Sequence, residues 1–171
     1  MEFFLSWEFN LDRYQDQIEL ALHRNEEAVN TILADEEFVE RQFSTKEHLS
    51  SDQIRSDLRT LKNWVNQPYT ILLYQQDSLV FWTNNQAILS DGRLSSIKQE
   101  RKNTGSVTLQ NGEYVYHYKE YAAICNDCFG IGLIPVKYSY SLESRYLNNE
   151  FVTESKNIPK QVYFTNVVTP F

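Results

Sequence analysis

Residues 124–151, ICNDCFGIGLIPVKYSYSLESRYLNNEF, decide the fold. Asn126-Asp127 reads as a two-residue turn held between Cys125 and Cys128. The run from Cys128 to Tyr138 is rich in aliphatic, β-branched and aromatic residues, the composition of a strand. A polar stretch follows, with a short helix pattern closing on Tyr146-Leu147-Asn148-Asn149-Glu150-Phe151. Upstream, Asn111-Gly112 is the strongest hairpin signal in the chain, because both residues tolerate positive φ. It joins a strand over Val107–Gln110 to one over Glu113–Cys125, which pairs in turn with Cys128–Tyr138. A three-stranded antiparallel meander is therefore expected.

Earlier in the chain, Tyr69–Tyr74 and Ser78–Trp82 read as a second hairpin around Gln75-Gln76-Asp77. Between hairpin and meander, Asn84–Gly105 is polar and less regular, with Asp91-Gly92 as a turn and a short helix after it. The N-terminal third changes period. Leu11, Tyr14, Ile18, Ala21, Leu22, Val29, Ile32, Val39 and Phe43 recur at helical spacings, predicting one long amphipathic helix over about residues 10–43. Such length suits a helix that continues a membrane span, or a coiled-coil seam with a second copy on which Asn25 falls; it also suits a helix backing onto its own sheet. Ser50 and Gln53 have capping-box spacing for a second helix over about 51–66, with Ile54, Leu58, Leu61 and Val65 as its apolar stripe and Pro68 after its end. The tail from Gln161 to Val168 could add an edge strand or lead toward a second membrane helix. Pattern alone gives a single α+β domain over residues 1–171.

Composition narrows the function. The chain is 42% hydrophobic and 14% aromatic, which excludes a disordered segment. Its net charge of −7 is concentrated at one end: residues 1–66 hold 14 acidic and 7 basic side chains, and residues 67–171 hold 9 of each. An acidic face repels nucleic acid, so no nucleic-acid partner is expected. No signal peptide and no apolar run of about 20 residues is present. Phe3-Phe4-Leu5-Ser6-Trp7 fits the interfacial end of a membrane helix and equally the start of a core helix. Catalytic signatures such as GxSxG, the P-loop and the Rossmann glycines are absent, so no catalytic residue, metal or cofactor is expected.

Two stretches carry a family resemblance. Gly132-Leu133-Ile134, Val136-Lys137-Tyr138 and Tyr146-Leu147-Asn148, with Phe151, resemble the GLIxIKxxY strand and NxYLxNxF helix that end the extracytoplasmic sensor domain of Bacteroidetes-type membrane-bound histidine kinases. Asp77–Asn85, DSLVFWTNN, is similar to that family's DSLVYWSDN hairpin. Pro135 departs from the pattern, standing where the family carries a strand former. The resemblance implies a PAS-like, single Cache-like sheet of about five antiparallel strands. One face would pack on the long helix. The other, partly covered by the irregular segment, would form a ligand pocket. It also implies a periplasmic position on the inner membrane, through membrane helices outside this chain, and a two-component output module. A structural or protein-interaction domain, with no small ligand, is the alternative.

The candidate binding residues follow from that layout. Tyr114, Tyr116 and Tyr118 alternate with Val115 and His117, so period two places the three phenols on one face, as pocket lining or as ordinary sheet packing. Trp82 ends the similar hairpin. Arg93, Lys98, Arg101 and Lys102 form a cationic run that could hold a carboxylate or phosphate, or be a solvated surface; Arg93 is the one taken as pocket-lining. Cys125 and Cys128 lack the helix of a redox CxxC, the following His of a haem site and the partners of a zinc site. A cross-strand disulfide and two free thiols remain. The partners left open are an unknown small-molecule ligand and a second copy joined through the long helix.

Overall fold

The computed structural model describes residues 2–44, 50–142 and 147–153. Helix α1 (Glu2–Ala34) is followed by α2 (Glu36–Phe43) and α3 (Ser51–Trp64). Strands β1 (Thr70–Gln75) and β2 (Ser78–Trp82) form a hairpin; α4 (Asp91–Glu100) leads to β3 (Thr104–Leu109), β4 (Gly112–Glu120) and β5 (Cys128–Tyr138). The strands make one antiparallel sheet in the order β2-β1-β5-β4-β3. This is the expected α+β architecture with a long N-terminal helix.

The expected helix over 10–43 is two helices. Asp35 ends the first: its side chain accepts from the Phe38 amide at 3.0 Å and N-caps α2, with Glu36 and Glu37 in the first turn. The apolar period runs across the break because Val29, Ile32 and Leu33 of α1 and Phe38 and Val39 of α2 join one core. The capping box of α3 forms as its spacing predicts, with Gln53 N donating to Ser50 Oγ at 3.3 Å and Ser50 N to Gln53 Oε1 at 2.9 Å. Its stripe, however, divides: Leu61 packs against the core, while Ile54, Leu58 and Val65 are exposed. Leu58 is 60% exposed, while Asp57 is buried against Arg41 of α2 at 3.1 Å.

Three turn assignments also shift. The β3–β4 turn is Gln110-Asn111, since Leu109 pairs with Gly112. Gly112 opens β4, paired with Leu109 and Tyr138, at a place where a Cβ would strike the Lys137 carbonyl. Asp91-Gly92 lies inside α4, the short helix itself. Strand β4 ends at Glu120, so Cys125 sits in a loop and not in a strand; the Ile124 and Cys125 amides both donate to the Tyr121 carbonyl, at 2.9 and 3.2 Å, winding the chain into a helical turn. After β5, Leu147–Glu150 is not helical. The Tyr138 amide donates to the Glu150 carbonyl at 2.8 Å and Phe151 bridges Lys137, so this segment returns along the end of β5. Tyr146 and the Gln161–Val168 segment lie outside the described residues, as do the side chains of Phe3–Trp7.

Pro135 is accommodated in β5 by position. The pairing with β1 ends at Leu133, and the β4 register breaks between Glu113 and Tyr114, opposite the proline. A missing N–H is tolerated at such a place.

The sheet buries both faces. On one, Ile71, Leu73, Phe81, Cys128 and Ile134 pack against α1 and α2. Gly130 and Gly132 of β5 bring α1 close: a Cβ on Gly130 would lie 2.9 Å from Leu33 Cδ2, and one on Gly132 would overlap Val29 Cγ1. On the other face, Leu72, Phe129, Ile131, Leu133, Tyr114 and Tyr116 pack under Ala87, Leu89, Leu94 and Ile97. Among the described residues no helix is long and apolar enough to cross a membrane.

Candidate functional site

The face opposite α1 is covered by α4 and by the segment that follows β2, and the cover is incomplete. Asn84 fixes that segment. Its Oδ1 accepts from Thr70 Oγ1 at 2.6 Å and from the Gln86 amide at 3.1 Å, while its Nδ2 donates to the Tyr69 carbonyl at 2.9 Å. Further along, Asn111 Nδ2 donates to the Gln86 carbonyl at 2.7 Å. The strap is thus tied at one end to β1 and at the other to the β3–β4 turn. A cleft opens on each side of it.

The first cleft, of about 580 Å³, lies between the strap and the β3–β4 turn. Asn85, Gln86, Ser90, Gln110 and Asn111 supply amides and a hydroxyl, Ile88 and Leu109 an apolar floor, and Arg93 the one cation of its lining. The second, of about 430 Å³, lies between the strap and the β1–β2 hairpin. Leu72, Tyr74, Leu79, Trp82, Leu89 and Leu94 line it with Asp77, Asn84 and Asp91. Burial pushes the Tyr74 phenol above its usual range, and the Asp91 carboxylate adds to the effect. Asn85 and Ile88 border both clefts.

Of the expected binding residues, Arg93 and Trp82 line clefts, one in each. Tyr114, Tyr116 and Tyr118 share a face as the alternation requires, with His117 on the other, 3.4 Å from Glu26 of α1. They line neither cleft. Tyr114 and Tyr116 are each 1% exposed and fill the core beneath the strap and α4. Burial raises the Tyr114 phenol, and the nearby Asn111 side chain offsets part of the rise. Tyr116 Oη donates to Glu100 Oε2 at 3.1 Å, and burial with that carboxylate pushes it up to about 12. Tyr118 is half-buried, tilted against Phe129 at 5.5 Å, and also raised to about 12 by burial and Glu120.

The cationic run divides. Lys98 pairs with Asp77 at 2.5 Å and stands 5.0 Å over the Phe129 ring; Lys102 approaches Glu100 at 3.8 Å; Arg101 holds the left-handed C-cap of α4. Only Arg93 of the four lines a cleft. Cys125 and Cys128 form a disulfide with Cα atoms 5.6 Å apart, across a turn and not across two strands. Among the described residues no three His, Cys, Asp or Glu side chains are placed to hold a metal ion.

Tyr74, Asp77, Leu79, Ile88 and Asp91 were not legible as site residues. Leu79 depends on a β-bulge: β1 pairs Leu73 with Phe81 but Tyr74 with Leu79, skipping Val80. Ile88 depends on the path of the strap. Neither leaves a mark in local composition. Comparison with models of known protein families, with curated proteins and with solved structures finds nothing that matches this chain.

Proposed function

We propose that the chain is the ligand-sensing extracytoplasmic domain of a two-component histidine kinase, with ligand taken up on the strap face of the sheet and the response carried by α1 on the other. One observation carries this reading. The central strand β5 touches both: Phe129, Ile131 and Leu133 pack towards the strap and α4, while Gly130 and Gly132, alternating with them, seat Leu33 and Val29 of α1. A ligand that tightens one face would shift the balance between two seats of the helix on the other, provided it binds the two arrangements with different affinity. The chain itself would bind and relay without catalysis. Leu20, 61% exposed on α1, lies on a stretch along which a second copy could align.

A thermal-shift screen of carboxylates, amines, amino acids and sugars tests binding. A ligand at about 100 times its dissociation constant stabilises the fold by about 2.7 kcal/mol. Hits are then tested with paired spin labels at Leu20 and Thr104, which is exposed on β3 and lines neither cleft, to report α1 against the sheet. A hit that changes the distance distribution supports sensing. Hits that leave it unchanged sink the relay.

A second reading, a protein-interaction domain, is favoured by α3. Ile54, Leu58 and Val65 lie 42%, 60% and 48% exposed along that helix. An apolar stripe of this kind suits a protein partner. A screen without hits, together with a partner whose binding is lost in Leu58→Glu, would decide for it.

A further inference from the structure

The cleft between the β1–β2 hairpin and the strap has a chemical bias that its neighbour lacks. In a regular strand Leu79 and Trp82, three residues apart, would point to opposite faces. The bulge at Val80 puts both on the cleft side: Leu79 pairs with Tyr74 and Trp82 with Leu72, and all four line the cleft. Bulges recur beside binding sites because they re-aim side chains in this way. The result is an apolar and aromatic wall left open, with Leu79 43% and Trp82 50% exposed.

Charge then selects the occupant. The lining holds two carboxylates, Asp77 and Asp91, and neither Lys nor Arg. Asp77 is already matched by Lys98, which caps the Phe129 ring outside the lining. Asp91 has no ion pair among the described residues and lies close enough to Tyr74 to act on its phenol. An anion entering here would meet the unpaired Asp91 carboxylate. An ammonium would meet Asp91 and the face of Trp82. A volume of about 430 Å³ is in the range of small-metabolite sites.

We infer that this cleft binds a small organic cation, an amine carried on an apolar or aromatic body, with Asp91 as the counter-charge and Trp82 as the stacking surface. The inference rests on the ligand-sensing reading for its biological use and on the cleft alone for its chemistry. Arg93, in the neighbouring cleft, takes no part in it.

The test is calorimetric titration of the full chain with 2-phenylethylammonium and benzyltrimethylammonium against the matched anion 3-phenylpropionate. The amines should bind and the anion should not. Asp91→Asn should weaken the amines about tenfold, and Trp82→Leu by a similar factor. Unchanged melting curves of both variants would show that they fold. Equal binding of amine and anion, no binding of either amine at millimolar concentration, or an affinity indifferent to Asp91→Asn overturns the inference. Amine binding that leaves the α1 distances unmoved keeps it and sinks the sensing reading. Anion binding that moves α1 and is lost in Arg93→Ala, with neither amine bound, sinks the inference and keeps the sensing reading.

Discussion

The phenol of Tyr121 donates a 2.8 Å hydrogen bond to the backbone carbonyl of Leu33, across 88 residues of sequence. Leu33 lies in the last turn of α1, where carbonyls have lost their helical partners. Tyr121 therefore caps the long helix from the loop that carries the disulfide, and both residues are buried, at 3% exposure each. Tyr121→Phe keeps the ring and leaves the carbonyl unpaired. We expect a loss of about 1–2 kcal/mol in urea unfolding. No change in midpoint would show that water or another donor takes the place of the phenol.

The contact of α1 with β5 predicts a paired result. Gly132→Ala places a methyl where Val29 Cγ1 stands, and neither the buried strand nor the helix can move freely. The single substitution should cost about 2 kcal/mol. Val29→Ala alone should also destabilise, by opening a cavity. The double variant should be less damaged than the sum, with a coupling of about 1 kcal/mol that a double-mutant cycle reads. Strict additivity would mean that α1 does not seat on the glycines.

Helix α4 carries a correctable strain. Arg101 holds φ 49° and ψ 31° at its C-cap, a left-handed conformation that costs any residue with a Cβ. Its side chain is exposed and lines neither cleft. Arg101→Gly should raise stability by about 0.5–1 kcal/mol. A destabilised variant would show that the guanidinium contributes more than the backbone costs.

Much of this was legible in the sequence, and the division has physical causes. Local signals held: the Ser50–Gln53 capping box, the β1–β2 hairpin and strand β5 from Cys128 to Tyr138 all form where composition puts them. The break at Asp35 had a signal too, an N-cap residue followed by Glu36 and Glu37, but the apolar period running through it hid the cap. The clefts were legible only in part. Trp82 and Arg93 reach them, whereas the tyrosine alternation fixes a face and does not reveal what covers it. The strap path is set by tertiary contacts, chiefly those of Asn84 and Asn111, and the bulge shows only in the register of β1 against β2.

Alkaline unfolding should expose the tyrosine core. Burial, with help from Glu100, pushes Tyr116 up to about 12, and burial likewise raises Tyr118 and Tyr138 to about 12, from an ordinary 10. The native state therefore holds more protons than the unfolded chain between those values. Stability is fully present below about pH 10 and falls as pH rises towards 12. Melting temperature should decline across that window, and absorbance at the phenolate band should show a group of tyrosines that ionises only as the chain unfolds. Titration of all the phenols together near 10, with an intact fold, would contradict the burial of that face.

The disulfide should matter less to stability than its place in the core suggests. Cys125 and Cys128 are separated by only three positions, and the chain entropy removed from the unfolded state grows with loop length. For so short a loop the gain is about 2 kcal/mol. The turn has its own bonds: the Tyr121 amide donates to the Cys128 carbonyl at 2.8 Å, and the Gln76 amide donates to the Asp127 carbonyl at 3.1 Å, which ties it to the β1–β2 hairpin. A reduced chain, or Cys125→Ser/Cys128→Ser, should therefore remain folded and melt at a lower temperature, with α1 still capped by Tyr121. Collapse of the fold on reduction would instead make the link essential, and would confine folding of the domain to an oxidising compartment.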